Sequence, residues 1–227
     1  MQSLSNWNAI TSLAYKELIE IKTAKFPLKP EFIKFPDIVV LSYQKYARLA
    51  NIPVEDVSCD NELEDSYVTK ELRPGLKLIL YNEVKFDARR NHSVFHEVGH
   101  VRCGHIKHGE FEEIEAHFFA GQLNAPNILI KEIRRRGYRI TVSLLKKCFR
   151  LSNEAAYKKL DYLMRYPETH PNEYDDAVLR KFSKFINTYY PSERLINMYE
   201  DKTSIALSKK IFKKIEDDWL YPEALGL

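Results

Sequence analysis

The five residues His96-Glu97-Val98-Gly99-His100 constrain the fold of this chain more than any other segment. Two histidines four residues apart on a helix lie one turn above each other, so both imidazoles can reach one metal ion. Glu97 lies beside that face, where its carboxylate can meet a metal-bound water. Gly99 leaves the adjacent surface bare, so another element can pack closely. The segment therefore predicts a helix over residues 88–106, with Asp87 as its N-cap.

The probability that this pattern arises by chance is small but not negligible. With seven histidines in 227 residues, the expected number of such pentads is roughly 0.03 per chain. The alternative is a helix whose histidines merely face a polar surface. A longer zinc pattern fails here, because Cys103 and Ile106 stand where it requires glycine and histidine. His105 and His108 follow in a loop, where we expect solvated side chains.

A second helix, predicted over residues 111–124, offers the third protein ligand that a catalytic zinc site needs. Glu115 lies between Ile114 and Phe118, which we expect to form part of a buried apolar stripe. A buried acid needs a partner, and a metal ion is one. Glu112, one turn earlier, is a candidate for supporting the site, or else a surface acid near the helix N-terminus.

The pentad is followed by Glu115-Ala116-x-x-Phe119-Ala120 and then by Leu123-Asn124-Ala125-Pro126. This arrangement resembles the ImmA/IrrE-like zinc metallopeptidases, and the resemblance extends over about residues 5–166. It implies that Glu97 is the general base of a peptidase. The ligands that it implies for one zinc ion per chain are His96, His100 and Glu115.

Two histidines depart from the pattern of that family. His92 lies one turn before His96, and we expect it to hydrogen-bond or assist the site rather than to bind the metal. His117 lies nearly opposite Glu115 on the predicted helix, which argues against coordination by His117. Tyr81, at the end of a predicted strand, and His92 are candidates for stabilising the oxyanion of the reaction.

The whole chain predicts an α+β fold, with a zincin-like peptidase core, a small β-sheet, helix-turn-helix-like helices and a helical C-terminal extension. Strands are expected at residues 67–69 and 76–81, joined by the turn Arg73-Pro74-Gly75. Residues 38–41 fit either a buried strand or the first turn of a helix. The predicted domains are a metallopeptidase core over 1–126, a basic helical segment over 127–168 and an extension over 169–227.

Residues 127–165 contain eleven Lys and Arg against three acids, a net charge of +8. Two predicted helices joined by a short turn at Leu151-Ser152 resemble a helix-turn-helix motif. Contact with nucleic acid is therefore one hypothesis. The alternatives are packing helices with solvated cations on their outer face, or a surface for an acidic protein. The candidate contact residues are Arg134, Arg135, Arg136, Lys146, Lys147, Lys158 and Lys159.

The composition excludes several classes of protein. With 44% hydrophobic and 30% charged residues and a formal net charge of +3, the chain is neither collagen-like, disordered nor a coiled coil. No segment approaches the ~20 apolar residues of a membrane span, and the N-terminus lacks a signal-peptide pattern. Three distant cysteines argue against a disulfide framework. We therefore expect a cytoplasmic protein.

Together these features predict a zinc-dependent endopeptidase of an intracellular regulatory protein. By family resemblance, that substrate is a transcriptional repressor of a mobile element or a stress response. The alternative is a non-catalytic regulator that binds DNA or a repressor and holds a structural metal. Since both hypotheses include a metal, cleavage that depends on Glu97 is the observation that separates them.

Overall fold

Helices and a small sheet make up the chain, which confirms the predicted α+β class. The computed structural model describes residues 6–30, 33–57, 65–69, 73–107, 109–166 and 171–192. The helices are α1 (Trp7–Glu20), α2 (Tyr43–Ala50), α3 (Asp87–Cys103), α4 (Glu110–Asn124), α5 (Asn127–Arg135), α6 (Val142–Phe149), α7 (Asn153–Arg165) and α8 (Asp175–Tyr189). The strands are β1 (Ile38–Ser42), β2 (Ser66–Val68) and β3 (Lys77–Tyr81).

Some predictions lie outside these ranges. His108 and the helices expected after residue 192 belong to the part of the chain that is not described. Within the described ranges, no helix is long and apolar enough to cross a membrane.

The sheet has the order β1-β3-β2, with β1 parallel and β2 antiparallel to the central strand β3. The predicted hairpin over residues 67–69 and 76–81 is confirmed. Residues 38–41 belong to β1, so the alternative of a helical turn is wrong. A helix does follow at once, because the hydroxyl of Ser42 accepts a hydrogen bond from the Lys45 N–H at 3.2 Å and caps α2.

The predicted helix around the pentad is α3, which begins at Asp87. The N-cap position is Phe86, so the prediction that Asp87 is the N-cap is wrong. The Asp87 carboxylate instead accepts hydrogen bonds from Arg90 at 2.9 Å and from Arg150 at 2.6 Å. Gly104 follows the helix in the left-handed conformation, with φ of 72°, which ends α3 earlier than predicted.

α3 and α4 approach closely at Gly99, as its missing side chain predicts. A β-carbon there would lie 3.0 Å from the carbonyl oxygen and 3.1 Å from the Cα of Ala116 on α4. The predicted buried stripe is wrong at Ile114, which is 47% exposed. Because Ala116 faces α3, the core-facing stripe of α4 instead contains Ala116, Phe119, Ala120 and Leu123.

Arg102, near the end of α3, binds the N-terminal part of the chain. Its guanidinium donates to both oxygens of Asp37, at 2.6 and 2.9 Å, and to Glu17 on α1. The hydrogen bond from Arg102 holds the pKa of Asp37 below its usual value, whereas loss of solvation raises the pKa of Glu17. These bonds fix α3 against α1 and against the residue that precedes β1.

One hydrophobic core joins the predicted segments. Its buried residues come from α1, α3 and α4 and equally from α5 to α8, including Leu18, Phe119, Phe149 and Phe182. The described parts of the 1–126, 127–168 and 169–227 segments therefore share a core, and the domain boundaries stay a prediction. The two helices predicted to resemble a helix-turn-helix are α6 and α7, and residues 150–152 join them.

Candidate metal centre

Polar side chains recur every four residues on the facing sides of α3 and α4. Because an α-helix has 3.6 residues per turn, residues at this spacing line one face. The close approach of the two helices at Gly99 brings these faces together. We call the set the histidine cluster. It consists of His92, His96 and His100 on α3 and of Glu113 and His117 on α4.

Glu113 lies against both histidines of the pentad. Its Oε2 is 3.0 Å from His96 Nε2, and its Oε1 is 3.3 Å from His100 Nε2. The two Nε2 atoms are themselves 3.0 Å apart. Two imidazole nitrogens and a carboxylate are ligand types that zinc accepts, and here they converge on one point.

Glu115, predicted from the resemblance as the third ligand, contacts a different residue. Its Oε2 lies 3.0 Å from His105 Nε2, and His105 Nδ1 lies 2.9 Å from His100 Nδ1. Since a carboxylate can only accept, His105 donates from Nε2 and accepts on Nδ1 from the His100 Nδ1–H. The bonds thus fix the tautomer of His100 and leave the lone pair of its Nε2 facing Glu113.

Helix geometry explains why Glu113 and Glu115 contact different histidines, and the ligand role of Glu115 stays a prediction. Glu115 is two residues from both Glu113 and His117, so it projects from another side of α4. The signal in the sequence was the four-residue spacing of Glu113 and His117, which equals that of the pentad histidines. His105, expected as a solvated loop residue, is instead held between Glu115 and His100.

His92 and His117 meet at the N-terminal end of the α3 face. His92 Nε2 lies 3.1 Å from His117 Nδ1, and the two rings are nearly parallel, with an interplanar angle of 8°. The His117 ring centroid is 4.3 Å from that of His96. One ligand atom each from His96, Glu113 and His117 lie within 4.8 Å of one another. His117 therefore lies beside His96 and Glu113, and the expectation that it does not bind the metal stays a prediction.

Loss of solvation keeps these imidazoles neutral. It lowers the pKa of His92 to about 4 and that of His96 to about 3, and the nearby His117 acts in the same direction on both. Desolvation also lowers the pKa of His117. At neutral pH the three rings therefore have the lone pairs that a metal ligand requires.

The donor set fits a divalent cation such as zinc. The unprotonated Nε2 of His100 faces the Glu113 carboxylate and the imidazole of His96, and a cation stabilises such a group of acceptors. His96 Nδ1 is buried, and no residue in the described ranges hydrogen-bonds to it. Among the described residues, His96 therefore has no supporting acceptor like the one that His105 provides for His100.

Glu97 is buried on the side of α3 that faces the sheet. Its Oε1 accepts a hydrogen bond from Ser66 Oγ at 3.3 Å, at the start of β2. Ser66 pairs in register with Tyr81, the last residue of β3, so Tyr81 belongs to the same corner of the sheet. Its predicted oxyanion role stays a prediction, as does the supporting role of Glu112, whose carboxylate lies against Gly109.

Several Arg and Lys side chains of the basic segment form structural contacts, each with a different part of the chain. Arg136 donates to Asn187 on α8 at 2.8 Å and to a carbonyl after that helix at 2.9 Å. Lys159 donates to a backbone carbonyl of α4 at 3.4 Å, so its ammonium faces inward. Arg135 and Lys158 form ion pairs within their own helices. Nucleic-acid contact therefore stays a prediction that falls mainly on Arg134, Lys146 and Lys147.

Residues 50–161 match the family model of Peptidase M78, described as the IrrE N-terminal-like domain. The matched range contains the histidine cluster, Glu97, β2 and β3, and it confirms the resemblance found in the sequence. No curated protein and no solved structure matches the chain at a significant level.

Proposed function

Because the chain belongs, through residues 50–161, to the Peptidase M78 family, we propose that it is a zinc-dependent endopeptidase with a zincin-like core. The observation that carries the proposal is the convergence of His96, His100 and Glu113 on one point, on the helix that also contains Glu97. Three protein ligands leave one position of a catalytic zinc for water. The metal would polarise the substrate carbonyl and lower the pKa of that water to about 7.

Glu97 is the residue that would move the proton. The hydrogen bond from Ser66 orients its carboxylate. In the proposed reaction Glu97 accepts a proton from the attacking water and delivers it to the amine of the leaving peptide. Glu115 acts at a distance from the substrate, because it holds His105, which in turn holds His100 in the tautomer that can bind a metal.

Among the described residues β2 is an edge strand, and its outer edge offers a place for an extended peptide. The Asn82 N–H donates to the Asp65 carbonyl and the Thr69 N–H donates to the Leu78 carbonyl. Since hydrogen-bonded positions alternate in an antiparallel pair, the backbone groups of Ser66 and Val68 point away from β3. A substrate strand that pairs with them would pass the Ser66 side chain and so bring a peptide bond towards Glu97.

The edge can be tested with Val68→Pro, which removes one outward N–H and leaves the ladder between β2 and β3 intact. We expect a higher KM for peptide cleavage, with kcat and the midpoint of urea unfolding little changed. The matched control is Val68→Ala, which keeps the N–H and should keep the wild-type KM. An unchanged KM in Val68→Pro would show that substrate does not pair with this edge.

For the substrate, we propose an intracellular regulatory protein, and by resemblance a transcriptional repressor of a mobile element or a stress response. A repressor encoded beside the gene of this protein is the first substrate to test. An extended loop or terminus of such a protein would supply the strand that pairs with β2.

The test of the function is Glu97→Gln, which removes the proton acceptor and keeps the shape of the side chain. We expect zinc to stay near one per chain while the rate of repressor cleavage falls by about 10²- to 10⁴-fold. The exposed Glu110→Gln is the matched control and should cleave at the wild-type rate. Full zinc occupancy without cleavage by the wild-type protein would instead favour a non-catalytic regulator with a structural metal.

A further inference from the structure

The histidine cluster contains one more metal-binding group than a catalytic zinc requires. His96 and Glu113 belong to two sets of three donors: one set is completed by His100 and the other by His117. A catalytic zinc is held by three protein ligands and keeps a fourth position for water, whereas a structural zinc has four protein ligands. Whether His117 takes the fourth position therefore decides which kind of site this chain contains.

The contacts of His117 prepare it to bind a metal. His92 Nε2 is 3.1 Å from His117 Nδ1. If His117 donates its Nδ1–H to His92, the lone pair of its Nε2 stays available, and metal-binding histidines commonly have such an acceptor behind them. His105 provides the same support to His100. The two supported imidazoles lie on either side of the His96–Glu113 pair.

His117 is also the member of the cluster that is best placed to leave. His117 is exposed to solvent, whereas His100 is buried and His96 is half-buried. A ligand on the solvent side can rotate away without disturbing the packing between α3 and α4. The position it would vacate opens toward solvent, where a substrate can arrive.

We propose that His117 is a fourth, displaceable ligand that closes the metal site in the resting protein. This inference rests on the proposed function, since it assigns the metal to His96, His100 and Glu113 together with His117. The resting protein then has no metal-bound water and is latent. Cleavage begins after the His117 imidazole moves off the metal and water takes its place.

X-ray absorption spectroscopy of the zinc-loaded, full-length protein tests the inference by counting imidazole ligands. We expect three imidazoles in the wild-type protein, and two in His117→Asn, with a water oxygen in the vacated position. Glu110→Gln is the matched control, because it changes an exposed side chain in the first turn of the same helix that has no part in the site. At saturating zinc this control should retain three imidazoles.

Hydrolysis of fluorescent casein provides a second readout. His117→Asn should have a kcat/KM roughly tenfold above that of the wild type. In this variant no imidazole at position 117 competes with water for the metal. Two imidazoles in the wild-type protein would overturn the inference by themselves, even if the variant failed to fold. If that protein also cleaved substrate, the proposed function would stand; a wild-type chain that bound no zinc would overturn both.

Discussion

The histidine cluster and the basic segment over residues 127–165 are each rich in one kind of polar residue. In the cluster these side chains point to one place, whereas in the basic segment they point to different places. In the cluster, the donor atoms of His96, His100 and Glu113 lie 3.0–3.3 Å from one another. In the basic segment, Arg136 and Lys159 turn to separate backbone carbonyls. The converging donor atoms form a candidate metal site, whereas the dispersed charges hold helices together.

The sequence contains the reason for this difference. The residues of the cluster recur at a spacing of four, so each helix presents them on one face. The basic residues instead include adjacent positions, and such neighbours point to different surroundings: the Arg135 side chain is 77% exposed and that of Arg136 13%. A net charge of +8 therefore does not by itself predict a binding surface.

The largest expected effect distinguishes the roles of Glu113 and Glu115 by two matched substitutions. It tests whether the donor atoms of the histidine cluster converge on a metal. Glu113→Gln removes a carboxylate that faces both pentad histidines, and we expect no stoichiometric zinc. Glu115→Gln weakens the support of His100 through His105, and we expect zinc affinity to fall by about 10- to 100-fold. Competition with a chelator measures both. The reverse order of effects would restore Glu115 as the ligand predicted from the sequence.

In the basic segment, Arg136→Ala should have a larger effect on stability than the same change at Arg135. Arg136 donates to Asn187 and to the Tyr190 carbonyl, so its loss should lower the free energy of unfolding by about 2–3 kcal/mol. Arg135→Ala, the control on the exposed side, should cost less than about 0.5 kcal/mol. Urea unfolding compares them. Equal effects would mean that Arg136 does not anchor α8.

The smallest expected effect is the pH dependence that Lys159 contributes. Loss of solvation lowers its pKa to about 7, below the value of about 10.4 in the unfolded chain. Between these values the unfolded state binds more protons, so the free energy of unfolding rises with pH. Lys159→Met removes this dependence, so the excess of its unfolding free energy over that of the wild type should shrink between pH 6 and pH 8 by on the order of 1 kcal/mol.

The control for that measurement is Lys158→Met, the exposed neighbour that pairs with Glu154. Its unfolding free energy should follow the wild-type pH profile in parallel. If Lys159→Met also ran parallel to the wild type from pH 6 to pH 9, the ammonium of Lys159 would be as well solvated in the folded as in the unfolded chain.

Much of the fold could be predicted where the signal is local. The pentad predicts α3, the turn at Arg73-Pro74-Gly75 predicts the pairing of β2 with β3, and Gly99 predicts the close packing of α3 against another element. Each of these depends on residues within a few positions of each other. The ends of α3 were predicted less accurately, because Phe86 rather than Asp87 occupies the N-cap position.

The site could be predicted in part. The histidines of the pentad and Glu97 lie where the sequence indicates, on one helix beside the sheet. The prediction did not identify Glu113 or His117, since it assumed that Ile114 and Phe118 mark the buried side of α4. Ile114 is 47% exposed, so the helix is rotated about its axis relative to that assumption.

The sequence alone determined that two imidazoles and an acid lie together on α3, because one helical turn fixes their relative positions whatever surrounds them. The tertiary structure decided which acid of α4 faces those imidazoles. That choice depends on the rotation of α4, and the contact between Gly99 and Ala116 sets the rotation. The two residues are seventeen positions apart in the chain, and their contact forms only when the helices pack.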